Sequence, residues 1–181
     1  MNTPHVVASL SLVAFSISAF AGNDAHEHGR ARLSLVQDDK GIAVTFESPL
    51  DNLTGFEHAP RTQAQRHALA EARAALQDAA RVVVLPDAAG CALVAVEVAL
   101  PFDAAAHAAQ AEHADHAEHA DALAEYTFTC DRPSAVTQVS VGLFRAFARL
   151  RHIDAEAATA AGQGKALLSA TQATWKLPES R

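Results

Sequence analysis

The sequence has few basic residues and no basic run. Its 181 residues include 14 Lys and Arg against 21 Asp and Glu, which gives a formal net charge of −7 at pH 7. Proteins that bind a nucleic-acid backbone present clustered positive charge, so the charge balance argues against nucleic acid as a partner. The catalytic motifs His-Glu-x-x-His and Gly-x-Ser-x-Gly are also absent. Charge and motifs together indicate a binding protein rather than an enzyme.

Charged side chains are absent from the first 21 positions. Residues 6–20 are apolar apart from small serines, and Ala19-Phe20-Ala21 is the small-x-small pattern that signal peptidases cleave. The apolar run is too short to cross a bilayer as a helix. We therefore expect residues 1–21 to be a signal peptide that is removed after Ala21, leaving an exported chain with no stable membrane insertion. A buried N-terminal helix is the alternative.

Cysteine is scarce, since only Cys91 and Cys130 are present. An exported protein meets an oxidising compartment, so two cysteines predict one disulfide, and a two-cysteine metal site is the disfavoured alternative. The residues after Cys91 form an apolar run and those before Cys130 alternate strictly, as strands do. If these strands pair antiparallel with the cysteines opposite each other, Ala99 lies opposite Ala122 and residues 101–121 form the connecting loop.

Most of the remaining sequence has strand patterns. Residues 30–36 and 42–48 are rich in apolar and β-branched residues and are separated by the turn residues 37–41. This arrangement predicts an antiparallel hairpin. Pro49 is expected to end the second strand and to lead into a loop. Further strands are predicted over residues 137–143, 150–159, 165–169 and 175–177, with a turn at residues 162–164.

One helix pattern stands out from the strand patterns. Residues 62–78 are rich in Ala, Gln, Arg, Glu and Leu, and Thr62 with Gln65 can form a capping box. Leu69 and Leu76 are expected to face the sheet. The chain is therefore predicted to be α+β, mostly antiparallel β with one main helix. The expected layout is two small α/β portions, residues 22–100 and 123–181, joined by a His-rich linker over residues 101–122.

Histidine is abundant, with ten residues in a chain that has one Trp, one Tyr and one Met. Residues 104–122 contain three copies of an acid-His-Ala repeat. A neutral imidazole supplies a nitrogen ligand to zinc, and a neighbouring carboxylate either supplies an oxygen ligand or orients the imidazole. The candidate Zn(II) ligands in this segment are His107, Glu112, His113, His116 and His119.

The repeat can present its ligands in two conformations. A helix would place Glu112, His116 and His119 on one face, and an extended three-residue repeat would align the three repeat histidines. Both arrangements favour adaptable binding of several cations over one rigid site. The alternative is a solvated Ala-rich helix whose histidines only decorate the surface.

A second candidate cluster combines histidines from two parts of the chain. His26 and His28 precede the first predicted strand, and the hairpin returns the chain to the same strand end before His58. These three imidazoles could meet around one zinc ion, and the alternative is that each caps a loop. His152 is a weaker candidate, because a solvated polar face explains its place in a predicted strand.

Several motifs occur together along the chain. They are His26-Glu27-His28-Gly29, Ser48-Pro49 with Asn52-Leu53, Gly55-Phe56-Glu57-His58-Ala59-Pro60-Arg61-Thr62, Gly90-Cys91, a His-rich middle, Phe128-Thr129-Cys130, Leu143-Phe144 and Gly162-Gln163-Gly164. In this order the sequence resembles the ZrgA-type periplasmic zinc-binding proteins over essentially the whole mature chain. The resemblance implies a bacterial periplasmic protein with two small α/β portions, a flexible His-rich region and a role in zinc uptake through an ABC-type importer. It identifies no ligand among residues 107–119, because the His-rich middle varies within the family.

We therefore expect a non-enzymatic periplasmic protein that captures or buffers Zn(II) and passes it to an ABC-type zinc importer or to the importer's binding protein. Imidazole and carboxylate also suit Cu(II) and Ni(II), and the Irving–Williams order places copper above zinc in affinity. A Cu(II)- or Ni(II)-binding periplasmic protein is therefore one alternative. A structural or interaction module whose His-rich segment is only a spacer is the other.

Overall fold

The computed structural model describes residues 27–102 and 120–178. The strands are β1 (Arg30–Gln37), β2 (Gly41–Pro49), β3 (Val83–Val84), β4 (Cys91–Ala99), β5 (Asp121–Cys130), β6 (Gln138–Val141), β7 (His152–Thr159), β8 (Gly162–Ser169) and β9 (Thr174–Lys176). The helices are α1 (Leu50–Thr54), α2 (Gln63–Gln77), α3 (Ala79–Val82) and α4 (Leu143–Ala146). Six strands form a large sheet in the order β4-β5-β2-β1-β7-β8, and three form a small sheet in the order β3-β6-β9.

The predicted hairpin of β1 and β2 is confirmed, and the two strands pair antiparallel. Asp38 closes the turn, because its Oδ1 accepts from the backbone N–H groups of Lys40 at 2.8 Å and Gly41 at 2.9 Å. Both hydrogen bonds favour the ionised carboxylate, so the pKa of Asp38 is lowered. Gly41 is required at this point, because a Cβ there would lie 1.9 Å from the carbonyl oxygen of Phe128 on the neighbouring strand β5.

Strands from both sides of the predicted linker lie in the large sheet. β5 follows the linker, yet it pairs antiparallel with β2 on one side and with β4 on the other. β7 also follows the linker and pairs parallel with β1. The α+β class with mostly antiparallel strands is therefore confirmed. The two-portion layout is not shown, because both parts of the chain contribute strands to one hydrogen-bonded sheet.

The predicted disulfide between Cys91 and Cys130 is present, and the two cysteines lie opposite each other in β4 and β5. The predicted register holds for the first three residues of β4 and then shifts by one residue around Val94. This β-bulge places Ala99 opposite Leu123, one residue from the predicted partner. A continuous apolar run carries no mark that would locate such an extra residue.

The main helix, α2, begins with the predicted capping box. The Thr62 side chain accepts from the backbone N–H of Gln65 at 3.2 Å, and Oε1 of Gln65 accepts from the backbone N–H of Thr62 at 3.2 Å. Leu69 and Leu76 are buried, as predicted. The hydroxyl of the buried Tyr126 donates to the carbonyl of Leu76 at 2.6 Å, which ties α2 to β5. Burial raises the pKa of Tyr126.

The segment after Pro49 is helical, although the sequence predicted a loop. Pro49 precedes the helix with φ −49°, and Gly55 ends it in the left-handed conformation with φ +86°. The hydroxyl of Thr54 donates to the carbonyl of Leu50 at 3.1 Å within this single turn of helix. Five residues are too few for an apolar period to appear in the sequence, so only the flanking Pro and Gly mark α1.

The sequence predicted a turn at the glycine-rich residues 162–164, but these residues lie in β8. The turn comes earlier, where the Thr159 hydroxyl accepts from the backbone N–H of Ala161 at 3.1 Å. Gly164 serves close packing, because a Cβ there would lie 3.0 Å from Cγ of Pro178. The remaining two short helices, α3 and α4, are additional to the predicted elements.

The hydrophobic core lies between the inner face of the large sheet, helix α2 and the small sheet. Its largest fully buried side chains include Phe46, Leu76, Tyr126 and Leu143, and Trp175 of β9 joins the same cluster. Across residues 27–102 and 120–178, no helix is long and apolar enough to span a membrane.

Candidate metal-binding site

One end of the large sheet collects the segments that carry predicted ligands. β1 and β7 begin there, since Arg30 lies opposite His152 in the parallel pair. β2 and β4 end there, and β5 begins there. The backbone N–H of Leu50 in α1 donates to the carbonyl of Ala120 at 2.8 Å, at the point where the described chain resumes after the His-rich segment. We call this region, with His28, α1 and the start of β7, the histidine end of the sheet.

His28 lies just before β1 and contacts Asp51 of α1. Nδ1 of His28 is 3.1 Å from Oδ2 of Asp51. An ionised carboxylate only accepts hydrogen bonds, so Nδ1 of a neutral His28 carries the proton and Nε2 keeps a free lone pair. The His28 side chain is 65% exposed, whereas that of Asp51 is 17% exposed. A carboxylate that accepts from one ring nitrogen is typical of zinc-binding histidines.

Asn52 fixes the loop that carries His28. Its side chain is buried, and its Oδ1 accepts from the backbone N–H of Gly29 at 2.6 Å. Its Nδ2 donates to the carbonyl of Arg30 at 2.7 Å and to the hydroxyl of Ser48 at 3.1 Å. One side chain thus connects α1 to the start of β1 and to the end of β2. These buried hydrogen bonds set the position of the loop beside α1.

Asp51 also lies close to a cationic side chain. Nη1 of Arg149 is 3.7 Å from the same Oδ2 atom of Asp51 that accepts from His28. The guanidinium lies against Gly55, where an added Cβ would sit 3.1 Å from Nε and from Nη2. Gly55 adopts a left-handed conformation that favours glycine, and its missing side chain leaves room for the guanidinium. The histidine end therefore carries a positive charge next to its carboxylate.

His58 follows α1 and is exposed. Its Nδ1 donates to the carbonyl of Ala59 at 2.9 Å, which leaves Nε2 unprotonated when the ring is neutral. The imidazole also lies beside the largely buried Phe56, with ring centroids 5.4 Å apart and planes tilted by 34°. His58 is thus a second imidazole with the tautomer that can donate Nε2 to a metal ion.

His152 begins β7 on the exposed side of the sheet, and the neighbouring Ile153 is buried, so the predicted alternation is confirmed. Arg30 contacts Asp154 on this side through Nη2 to Oδ1 at 2.8 Å and Nε to Oδ2 at 3.1 Å. The hydrogen bond and the charge of Asp154 raise the pKa of Arg30. Asp154 is therefore engaged with Arg30, which agrees with a solvated polar face around His152.

The other predicted ligands lie outside the described residues. They are His26, His107, Glu112, His113, His116 and His119. Among the residues that the structure does describe, no group of three or more His, Cys, Asp or Glu side chains is arranged to hold a metal ion. The described residues therefore supply His28 against α1 and His58 after it in the chain as separate imidazoles, and do not by themselves assemble a complete set of ligands.

A family model described as "ZrgA family zinc uptake protein" matches residues 25–177. This range includes every strand and helix described above. The chain belongs to the ZrgA family. The resemblance found in the sequence motifs is therefore confirmed, and the role of this ZrgA-family protein is related to zinc. No curated protein matches the chain.

The donor chemistry of the histidine end fits the cargo of a ZrgA-family protein. Zinc prefers imidazole nitrogen and also accepts carboxylate oxygen. His28 and His58 both hold the Nδ1 proton in a hydrogen bond, so neither needs to change tautomer to donate Nε2. Asp51 stands behind His28, in the place where carboxylates support metal-bound histidines.

Three residues that shape the histidine end of this ZrgA-family protein were missed as site residues by the sequence reasoning. Asp51 and Asn52 were hidden by the expectation of a loop after Pro49, although an acidic residue in a first turn after proline is a helix-start signal. Arg149 lies between two strand patterns far away in the sequence. No local pattern in the sequence connects Arg149 to Asp51, because β7 reaches β1 only through the tertiary fold.

Proposed function

We propose that this ZrgA-family protein is a periplasmic zinc-capture protein. It binds Zn(II) through His28 at the histidine end and through His58, which follows α1, together with His26 and the acid-His-Ala repeat. It then passes the ion to an ABC-type zinc importer or to the importer's binding protein. Its function is binding and release of the metal ion, without chemical turnover.

The observation that supports this proposal most strongly is that the described chain stops and resumes, on either side of the His-rich segment, at the end of the sheet where His28 lies. The described chain leaves the large sheet after β4 at Phe102 and resumes at Ala120, which is hydrogen-bonded to Leu50 of α1. His28 lies against α1 and His58 follows it. The described residues on either side of the His-rich segment therefore follow β4 and precede β5 at the histidine end. Ligands that are linked in this way have a raised effective concentration, so an ion held by His28 or His58 is more readily bound by the histidines of the repeat as well.

The exposure of the described imidazoles favours transfer over permanent storage. Structural zinc sites are closed, with four protein ligands around the ion. His28 and His58 are instead accessible from solvent. An acceptor protein can approach such ligands and replace them one at a time. The exposed arrangement thus suits a protein that must release zinc as well as bind it.

Sequence and disulfide chemistry support the periplasmic location that we propose. Residues 6–20 have the apolar character of a signal peptide, and Ala19-Phe20-Ala21 supplies a cleavage pattern. The Cys91–Cys130 disulfide suits an oxidising compartment. Identification of the mature N terminus by mass spectrometry, in protein recovered from a periplasmic extract, tests the expected cleavage after Ala21.

Isothermal titration calorimetry with Zn(II), Cu(II) and Ni(II) tests metal binding. In one variant the repeat residues His113, His116 and His119 are replaced by Ala, which should lower the zinc stoichiometry and leave the melting temperature of the metal-free protein unchanged. In a second variant His28→Ala and His58→Ala are combined, which should reduce the zinc-dependent rise in melting temperature. A competition titration with equal concentrations of Cu(II) and Zn(II) tests the copper alternative. Stronger binding of Cu(II) that abolishes zinc binding in this competition would favour that alternative.

His67→Ala is the matched control for these variants. His67 lies on the exposed face of α2, where its Nδ1 is 3.2 Å from Oε2 of Glu71. We expect its zinc titration to match that of the native chain. Absence of zinc binding by the native chain would contradict the proposed function. The transfer step is tested separately, by mixing the zinc-loaded protein with the metal-free binding protein of an ABC-type zinc importer and measuring the metal in each after separation.

A further inference from the structure

We infer that Asp51 positions His28 for zinc and that Arg149, through the same carboxylate oxygen, keeps the affinity of this site low enough for release. This inference rests on the proposed function, because it concerns how the histidine end holds the ion. It assigns opposite effects to two neighbouring side chains. Loss of the Asp51 carboxylate should weaken zinc binding, and loss of the Arg149 charge should strengthen it.

Asp51 is suited to position His28 because its own place is well defined. It lies in the single turn of α1, between Leu50, which bonds the carbonyl of Ala120, and Asn52, which makes three hydrogen bonds around β1 and β2. The Asp51 side chain is mostly buried, whereas the imidazole that it contacts is mostly exposed. The exposed ring therefore depends on the carboxylate for its orientation and for the proton on Nδ1.

Arg149 acts on the same carboxylate from the other side. Its Nη1 is 3.7 Å from Oδ2 of Asp51, and Gly55 leaves space for the guanidinium at this position. The positive charge reduces the negative potential that Asp51 contributes at the His28 ring. It also repels a divalent cation that arrives at that ring. Arg149 thus opposes the effect of Asp51 on zinc affinity without removing a ligand.

A purely structural ion pair would behave differently. The Arg149 side chain is 61% exposed, and exposed ion pairs contribute little to folding stability. Removing the guanidinium charge should therefore leave the unfolding of the metal-free protein nearly unchanged. Removal of the charge should instead raise the affinity for zinc, which a structural role alone would not do.

The test uses the full chain in which the histidines of residues 103–119 are replaced, so that the titration measures zinc binding at the histidine end. The replaced residues are His107, His113, His116 and His119, each changed to Ala. In this background Asp51→Asn should weaken zinc binding by about 10–100-fold, the usual effect of losing the carboxylate behind a metal-bound histidine. Arg149→Gln should tighten binding by about threefold to tenfold, because a nearby cation is lost.

Arg81→Gln is the matched control for the change in net charge. Arg81 is also exposed and pairs with an acidic residue, Asp78, at 2.9 Å, and the two residues belong to helix α3 and its N-cap. We expect its zinc affinity to equal that of the background protein. The melting temperature of each metal-free variant is measured alongside, and Asp51→Glu, which keeps a carboxylate, should recover part of the lost affinity.

The outcomes separate this inference from the proposed function. If the native chain binds no zinc, the proposed function fails. If the native chain binds zinc but the background protein does not, the histidine end does not hold zinc by itself and the inference is overturned. The inference is also overturned if Asp51→Asn keeps the background affinity, or if Arg149→Gln weakens binding. A loss of affinity in Asp51→Asn that accompanies a lower melting temperature of the metal-free protein, without rescue by Asp51→Glu, would assign Asp51 to stability alone.

Discussion

Removal of the Cys91–Cys130 disulfide should destabilise the protein without weakening its binding of zinc. The two cysteines are separated by 39 residues in the sequence. In the chain-entropy description, a crosslink over such a loop lowers the entropy of the unfolded chain by about 13 cal/mol/K, or about 3.9 kcal/mol at 25 °C. Native-state adjustments commonly reduce this figure, so we expect a loss of about 2–4 kcal/mol in the free energy of unfolding.

The position of the disulfide explains why zinc binding should be spared. β4 begins at Cys91 and ends eight residues later, at Ala99, at the histidine end. At about 3.3 Å per residue, the two ends of this strand are about 26 Å apart. Among the described strands β4 lies at the edge of the large sheet and pairs with β5, so its covalent link acts on the stability of that edge. α1, which carries Asp51, is held to β1 and β2 by the hydrogen bonds of Asn52, so the disulfide does not act on it directly.

Urea unfolding of the oxidised protein, of the protein reduced by a phosphine and of a Cys91→Ser/Cys130→Ser variant measures the effect. The reduced protein and the double variant should unfold at similar, lower urea concentrations, with melting temperatures lowered by roughly 5–15 °C. The reductant should not change the double variant, which serves as the control. Zinc affinity is measured well below the lowered melting temperature. Equal unfolding midpoints for oxidised and reduced protein, or a loss of zinc affinity in a folded double variant, would refute the reasoning.

Three further predictions concern the helix contact, the hairpin turn and the ligands. Tyr126→Phe leaves the buried carbonyl of Leu76 without its donor and should lower the free energy of unfolding by about 1–2 kcal/mol in urea titrations. Asp38 has a lowered pKa in the folded state, so its carboxylate stabilises the turn above its unfolded value near 3.8 and loses that effect as pH falls through the folded value. The native chain should therefore exceed Asp38→Asn in stability at neutral pH, with the difference vanishing in acid. Zinc affinity should fall steeply between about pH 7.5 and about pH 5.5 if imidazoles are the ligands, whereas carboxylate ligands would hold zinc to about pH 4.

Local patterns in the sequence were sufficient to predict those elements whose start, turn or pairing is marked by particular residues. The capping box of Thr62 and Gln65 marked the start of α2, and turn residues marked the hairpin of β1 and β2. The cysteine pair identified the partner strands β4 and β5, because a disulfide requires the two residues to lie together. These predictions depend on residues that are close in sequence or joined by a covalent bond.

The predictions that failed depend on contacts between distant residues or on very short elements. The bulge at Val94 shifted the register of β4, and the short helix α1 lies where a loop was expected. At the candidate site, His28 and His58 were recognised by residue type, but the neighbours that govern their chemistry were not. Asp51 reaches His28 through the short helix α1, and Arg149 reaches Asp51 only because β7 pairs with β1.

The order of strands also determines where the connection that contains the His-rich segment begins and ends. β5 lies between β4 and β2, and its first residue, Asp121, pairs with Pro49 at the end of β2. The connection from β4 to β5 must therefore begin and end at the histidine end, whatever its length or composition. Lengthening a surface connection adds little to its closure entropy, so insertions there are tolerated. Histidines added in this connection would therefore change the number of imidazoles that the chain carries without any change in the order of the strands.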